Sequence, residues 1–147
     1  MSEQIDNQIG QVSVKEVWES LAANAQATLI DVRTYAEWSY VGCVDLSSIG
    51  KRPVLLEWMS FSTQQINSSF VEQLEAELGK LGIGHEADLF FLCRSGARSL
   101  AAAKVMTKAG YTRCINVIDG FEGSLDADQH RGRISGWKAE GLPWSQS

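Results

Sequence analysis

Residues Leu89 to Ser99 read Leu-Phe-Phe-Leu-Cys-Arg-Ser-Gly-Ala-Arg-Ser, and this stretch decides the architecture. Leu89 to Cys93 is an unbroken apolar run, the pattern of a strand covered on both faces. A short polar turn follows, and then the alanine-rich segment Ser99–Ala109 reads as a helix. Gly110 ends it, where a left-handed residue is wanted. Working outward, the same alternation repeats. Ser13 with Glu16 fits a capping box ahead of the stripe Val14, Val17, Trp18 and Leu21. Ala27–Val32 reads as a second buried strand, and Thr34 with Glu37 caps a short helix through Tyr40, closed by Gly42. Val44–Leu46 and Val54–Leu56 read as short strands. Asn67 or Ser68 caps a helix with Phe70, Leu74, Leu78 and Leu81 on one face, closing at Gly79 or Gly82. Ile115–Ile118 is a further strand, the turn Asp119–Gly123 follows, and Trp137–Glu140 reads as a last short helix. Strand and helix alternate between residues 14 and 109. That predicts an α/β fold with a mostly parallel central sheet and helices on both faces, its site at the carboxyl ends of the strands.

Composition narrows the function classes. A chain of 147 residues is expected to be one domain, residues 1–147. Its 44% hydrophobic and 21% charged fractions exclude a disordered chain. The net charge of −5 argues against nucleic acid and against an anionic membrane surface. The run Leu89–Cys93 is the longest apolar stretch, far short of the ~20 residues of a membrane span. Met1–Gln11 has no basic start and no apolar core, so a cytoplasmic location is expected. Three cysteines are too few and odd in number for a disulfide framework. In a reducing compartment an unusual cysteine is expected to be catalytic or metal-binding.

Cys93-Arg94-Ser95-Gly96-Ala97-Arg98-Ser99 carries the chemistry. The thiolate is the reactive form of cysteine. A tight loop leading into a helix aims backbone N–H groups at the strand-end sulfur, and the helix dipole favours negative charge there. Arg94 and Arg98 add positive charge, and Gly96 lets the backbone bend back without a side chain. Cys93 is therefore the candidate nucleophile, in a cradle suited to an anion.

At these residues the chain resembles the single-domain rhodanese family, from about residue 12 to 144. Leu29-Ile30-Asp31-Val32-Arg33 is similar to the family's first strand motif, and Glu37-Trp38 with Gly42 to the segment after it. Phe91 to Ser99 is similar to its active-site loop. Gly110-Tyr111, Asn116-Val117, Asp119-Gly120-Phe121 and Gly136-Trp137 through Gly141-Leu142-Pro143-Trp144 are similar to its closing segments. The resemblance implies a sulfurtransferase. Cys93 would take a sulfane sulfur from an anionic donor such as thiosulfate and pass it to cyanide or a thiol. The amides from Arg94 to Ser99 would hold the persulfide, and Arg94 and Arg98 would attract the donor. Asp31 and Arg33 would support the site structurally, Glu37 would be a helix cap, and no cofactor is expected.

The chain departs from the pattern in places. The family's Gly-His-Ile is Gly42-Cys43-Val44 here, so Cys43 is either packing or a resolving thiol. Cys114 reads as a small core residue, and neither has the spacing of a zinc site. The passage Ser124–Ser135 is longer than usual. Asp126, Asp128 and His130 suggest a metal less well than a polar loop leaning over the site, with Arg131 or Arg133 near the anion. Glu57–Phe61 is apolar and not helical, either a pocket wall, a partner surface or core. Two other activities fit the architecture. A cysteine phosphatase or arsenate reductase uses a Cys-x5-Arg loop, whereas Cys93 to Arg98 is Cys-x4-Arg, a narrower cradle. A persulfide carrier for a protein acceptor shares the first half-reaction.

Overall fold

The computed structural model describes residues 9–146. In chain order the elements are β1 (Gly10–Val12), α1 (Val14–Ala23), β2 (Thr28–Asp31), α2 (Tyr35–Tyr40), β3 (Cys43–Val44), a 3-10 turn at Ser47–Ile49, β4 (Val54–Leu55), α3 (Phe70–Lys80), β5 (Leu89–Leu92), α4 (Ala97–Lys108), β6 (Cys114–Val117) and β7 (Trp144–Ser145). Five of the strands form one parallel sheet in the order β1-β6-β5-β2-β4. The fold is the expected α/β class, with helices on both faces.

The run Leu89–Leu92 occupies the centre because both of its faces are covered. Phe90 and Leu92 pack with Leu29 and with Val14, Val17 and Leu21 of α1. Leu89 and Phe91 point the other way, toward Phe70, Leu74 and Leu78 of α3 and Ala102, Ala103 and Met106 of α4. Burial of each large side chain stabilises by about 1.5–3 kcal/mol, so the strand that buries four of them is the anchor of the sheet. Alanines on the inner face of α4 let that helix lie close to β5 and β6. The register pairs Asp31 with Leu92, which brings the carboxyl ends of β2 and β5 side by side. Both capping boxes form, with Ser13 and Glu16 exchanging bonds ahead of α1 and Thr34 and Glu37 ahead of α2.

Several boundaries differ from the sequence reading. Trp137–Glu140 is not a helix. Its backbone bonds, Glu140 N to Gly136 O and Leu142 N to Trp137 O, close isolated turns, because Gly141 and Pro143 leave no room to propagate. Ser69 takes the N-cap position of α3, without a side-chain cap bond. Asn67 instead accepts from Ser69 N and turns the chain into the helix. Gly79 lies inside α3, Gly82 ends it with φ +71°, and Leu81 is 56% exposed rather than on the buried stripe. The strand expected at Val44–Leu46 is Cys43–Val44, antiparallel to β7 and apart from the main sheet. α4 starts at Ala97, two residues before the expected Ser99. Among the described residues no helix is long and apolar enough to cross a membrane.

Candidate active site

Cys93 follows β5 at its carboxyl end, and its side chain is 1% exposed. The Gly96 N–H donates to Sγ at 3.1 Å, and the Ser99 Oγ lies 3.2 Å from the same sulfur. Gly96 has φ +113°, and a Cβ there would stand 2.5 Å from the Ile118 carbonyl oxygen. Glycine is therefore needed both for the conformation and for the close approach of the loop to the end of β6. Gly120 is its counterpart, since a Cβ there would meet the Cys93 carbonyl at 2.4 Å. The loop is clamped from behind by the turn after β6, where Phe121 N donates to Cys93 O at 2.8 Å and Glu122 N to Arg94 O at 3.0 Å.

Beyond Gly96 the chain enters α4. Its first bonded amide is that of Leu100, on the Gly96 carbonyl. The first-turn amides of Ala97, Arg98 and Ser99 have no carbonyl one turn earlier to receive them, so they form the positive end of the helix beside the sulfur. Ser99 is fully buried. Its Oγ is 2.6 Å from Asn116 Oδ1, and Asn116 Nδ2 donates to Gly96 O at 3.2 Å and to Gln11 Oε1 at 3.0 Å.

The two loop arginines are not equivalent. Arg98 donates to both carboxylate oxygens of Glu37, NH1 to Oε1 at 2.6 Å and NH2 to Oε2 at 3.0 Å. Burial would raise the Glu37 carboxyl, but the bonds and charge of Arg98, with the bonds of Thr34, hold it below its ordinary value. Burial would likewise lower Arg98, and Glu37 overcomes this and raises it. Glu37 thus caps α2 and clamps Arg98 at once, which the spacing Thr34–Glu37 alone did not show. Arg94 is exposed and lines the cleft.

That cleft holds about 480 Å³ and is lined by Glu37, Met59, Phe61, Arg94, Glu122 and Arg131, among others. The long 124–135 passage reaches it through Arg131, whose NH1 is tied to Gly123 O at 2.6 Å. Arg133 instead faces Asp126 at 3.5 Å and does not line the cleft. Asp126 Oδ1 accepts from the amides of Asp128 and His130, so this carboxylate shapes a turn. Among the described residues no group of three or more His, Cys, Asp and Glu is placed to hold a metal. The segment Glu57–Phe61 divides. Trp58 is core, edge-on to Phe70 at 5.2 Å, whereas Met59 and Phe61 form a wall of the cleft.

Asp31 and Arg33 sit just behind. Both side chains are fully buried and paired at 2.7 Å. Arg33 also donates to Gly42 O at 2.9 Å and stacks on Phe121 at 4.1 Å. The pair therefore ties β2, the start of β3 and the post-β6 turn together, a structural role. Cys43 donates to Trp38 O at 3.8 Å, and burial pushes its thiol up. Cys114 lies at the opposite end of the sheet, donating to Tyr111 O at 3.6 Å.

A parallel sheet ending in a cysteine loop at a helix N-terminus defines a rhodanese-like α/β protein. The family model of the STR4 middle domain matches residues 9–147, and the chain belongs to that family. It is similar to Rv0390 from M. tuberculosis, with 46% identity and a TM-score of 0.84 over 94% of this chain and 98% of that one. It shares its fold with the polysulfide-sulfur transferase homodimer of Wolinella succinogenes, at 24% identity and a TM-score of 0.60 over 99% of this chain and 84% of that one. The rhodanese-like domain of an Anabaena protein has the same fold at 15% identity, with a TM-score of 0.59 over 93% of this chain and 79% of that one.

Proposed function

We propose that this protein is a sulfurtransferase that carries a sulfane sulfur on Cys93. The observation that carries the reading is the strand-end Sγ at 3.1 Å from the Gly96 amide, beside the unbonded first turn of α4. The Cys93 thiolate attacks the outer sulfur of a donor such as thiosulfate. A new S–S bond forms, the donor's own S–S bond breaks, and sulfite leaves with the electron pair. The outer persulfide sulfur then carries the negative charge, and the amides of Ala97, Arg98 and Ser99 are the donors within this chain best placed to receive it. Cyanide or a thiolate next attacks that sulfur, taking it as thiocyanate or a new persulfide and returning Cys93 as thiolate. No outside oxidant or cofactor enters.

Arg94 draws the anionic donor to the cleft, and Arg98, neutralised by Glu37, holds the loop in shape. The Cys-x4-Arg spacing supports this reading over phosphatase or arsenate reductase chemistry, because a shorter loop leaves less room for a tetrahedral oxyanion. The sulfur transfer named for the Wolinella protein points the same way. The reading places the protein in the cytoplasm, where thiol acceptors stay reduced. A second reading, a persulfide carrier that hands sulfur to a protein acceptor, draws on the rim of the cleft, where Phe61 stands 67% exposed. The test is steady-state kinetics with thiosulfate and cyanide both varied. A persulfide intermediate gives parallel double-reciprocal lines and no hydrolysis of an aryl phosphate. Intersecting lines, or phosphate release, would overturn it.

A further inference from the structure

We infer that Arg131 is a specificity-determining residue, which binds a carboxylate borne by the carbon skeleton of an organic thiol that takes sulfur from Cys93. The inference rests on the sulfurtransferase reading for the chemistry at Cys93 and adds the class of molecule that the cleft receives.

The 124–135 passage holds one arginine still and leaves it without a counter-ion. Its two ends are joined by the Ser124 N–H donating to Ser135 Oγ at 3.1 Å. Its carboxylate Asp126 is used within the passage, Oδ1 by the amides of Asp128 and His130 and Oδ2 by Arg133. Among the described residues Arg131 makes a single hydrogen bond, Nη1 to Gly123 O at 2.6 Å, and no ion pair. The next amide, that of Gly132, donates to Glu122 O at 2.7 Å, and the Gly123 amide donates to Arg94 O at 3.1 Å. The guanidinium is thus tied through Gly123 to the Cys93 loop.

What the tie leaves over has a shape. With Nη1 engaged, the Nε and Nη2 edge keeps its N–H groups for a ligand. That edge presents two parallel donors, the fork that matches a carboxylate. Arg33 shows the same edge at work in this molecule, with Nε and Nη2 on Asp31 at 2.9 and 2.7 Å.

The rest of the cleft suits a carbon skeleton. Thiosulfate contains no carbon, yet Met59 and Phe61 give the cleft an apolar wall, and Phe61 is 67% exposed. A volume of about 480 Å³ falls in the range of pockets for organic ligands. The charges agree. Arg94, Arg98 and Arg131 line the cleft against Glu37 and Glu122. Arg98 and Glu37 neutralise each other, and the charge of Glu122 also acts on Lys138. Arg94 adjoins Cys93 in the chain, whereas Arg131 enters from a separate segment, so the cleft offers two positions for negative charge.

The test measures sulfite release with thiosulfate as donor and mercaptopropionate, mercaptobutyrate or mercaptohexanoate as acceptor, each against its own amide. At the chain length that fits, the wild type favours the acid about fivefold in kcat/KM, through a lower KM, as expected of a partly exposed charge pair. Arg131→Met removes the preference, and the intrinsic reactivity of the thiols cancels in the comparison. Arg131→Lys, which keeps the charge and loses the fork, retains part of it. Arg133→Met, altered outside the cleft, keeps the wild-type ratio. No preference at any length, or a preference that survives in Arg131→Met, overturns the inference. A second measurement needs neither turnover nor a variant. The S-methyl ethers of the same acids and amides, which have no thiol, are titrated into the wild type and followed by NMR at the Phe61 ring and the Arg131 Nε–H. The acid binds about fivefold more tightly than its amide. Equal affinities, or no binding of either, overturn the inference. A wild type that releases no sulfite with any acceptor refutes the sulfurtransferase reading, and the titration then decides on Arg131 by itself.

Discussion

Cys93 follows β5 and Cys114 opens the adjacent parallel β6, both buried and both free, yet they occupy opposite ends of the sheet. Cys114 opens β6 at its amino end, where its sulfur donates to a carbonyl and burial pushes its thiol up to about 11. Cys93 follows β5 at its carboxyl end, where its sulfur receives an N–H from Gly96, the residue before α4. The residue type and the burial are the same. What differs is the direction of the neighbouring helix, because in a parallel sheet helix N-termini collect at the carboxyl ends of strands. A buried cysteine meets a carbonyl at one end of this molecule and an N–H at the other.

The contrast can be broken most sharply by substitution. Cys93→Ser should abolish sulfur transfer, a loss of a thousandfold or more by the measure of nucleophile removal in covalent catalysis (roughly 10³ and above). Cys114→Ser should retain turnover within about threefold, since its change is one of packing. Equal losses measured in a thiocyanate assay would erase the distinction between the two ends.

Next in size is the pair that braces the Cys93 end. Arg33→Ala leaves the buried Asp31 carboxylate without its counter-ion, keeping only the backbone N–H of residue 33, at a cost of about 3–5 kcal/mol, read by denaturant unfolding. A loss under 1 kcal/mol would mean that the pair does not hold β2 to the turn after β6. Smaller still is the effect of freeing Arg98. Glu37→Gln removes its partner's charge, so KM for thiosulfate should fall roughly fivefold, the equivalent of ~1 kcal/mol. A raised KM would mean that the Glu37 clamp, and not the charge it neutralises, governs donor binding.

The mildest probe is pH. Glu37 lies below its ordinary 4.5 in the folded chain. Its stabilising contribution is complete above the unfolded carboxyl's value and is lost as pH falls through the folded one. The stability gap between wild type and Glu37→Gln should be flat near neutrality and close in acid. A gap that widens in acid would reverse the sign of the Arg98 contact.

Much of the Cys93 end is legible in the sequence because it is local. An apolar run, a turn with glycine and an alanine-rich helix fall within a score of residues, and both capping boxes are patterns of four. What escaped is long-range. The Glu37–Arg98 clamp joins residues 61 apart, and Gln11 meets Asn116 across 105. β1 has no apolar alternation to announce it, since Gly10–Val12 is a strand only through its pairing with β6. β7 is two residues long and exists through Cys43–Val44. Asn116 could be noticed only as part of a family-like Asn-Val pair, with nothing local to link it to Ser99.

The central claim is that one sulfur of three takes and releases a sulfane sulfur. The direct measurement is intact-protein mass after exposure to thiosulfate or polysulfide, with peptide mapping and subsequent addition of cyanide. The account predicts a gain of one sulfur atom, on the peptide containing Cys93, discharged by cyanide as thiocyanate. No gain from any donor, or the same gain in Cys93→Ala, would contradict it.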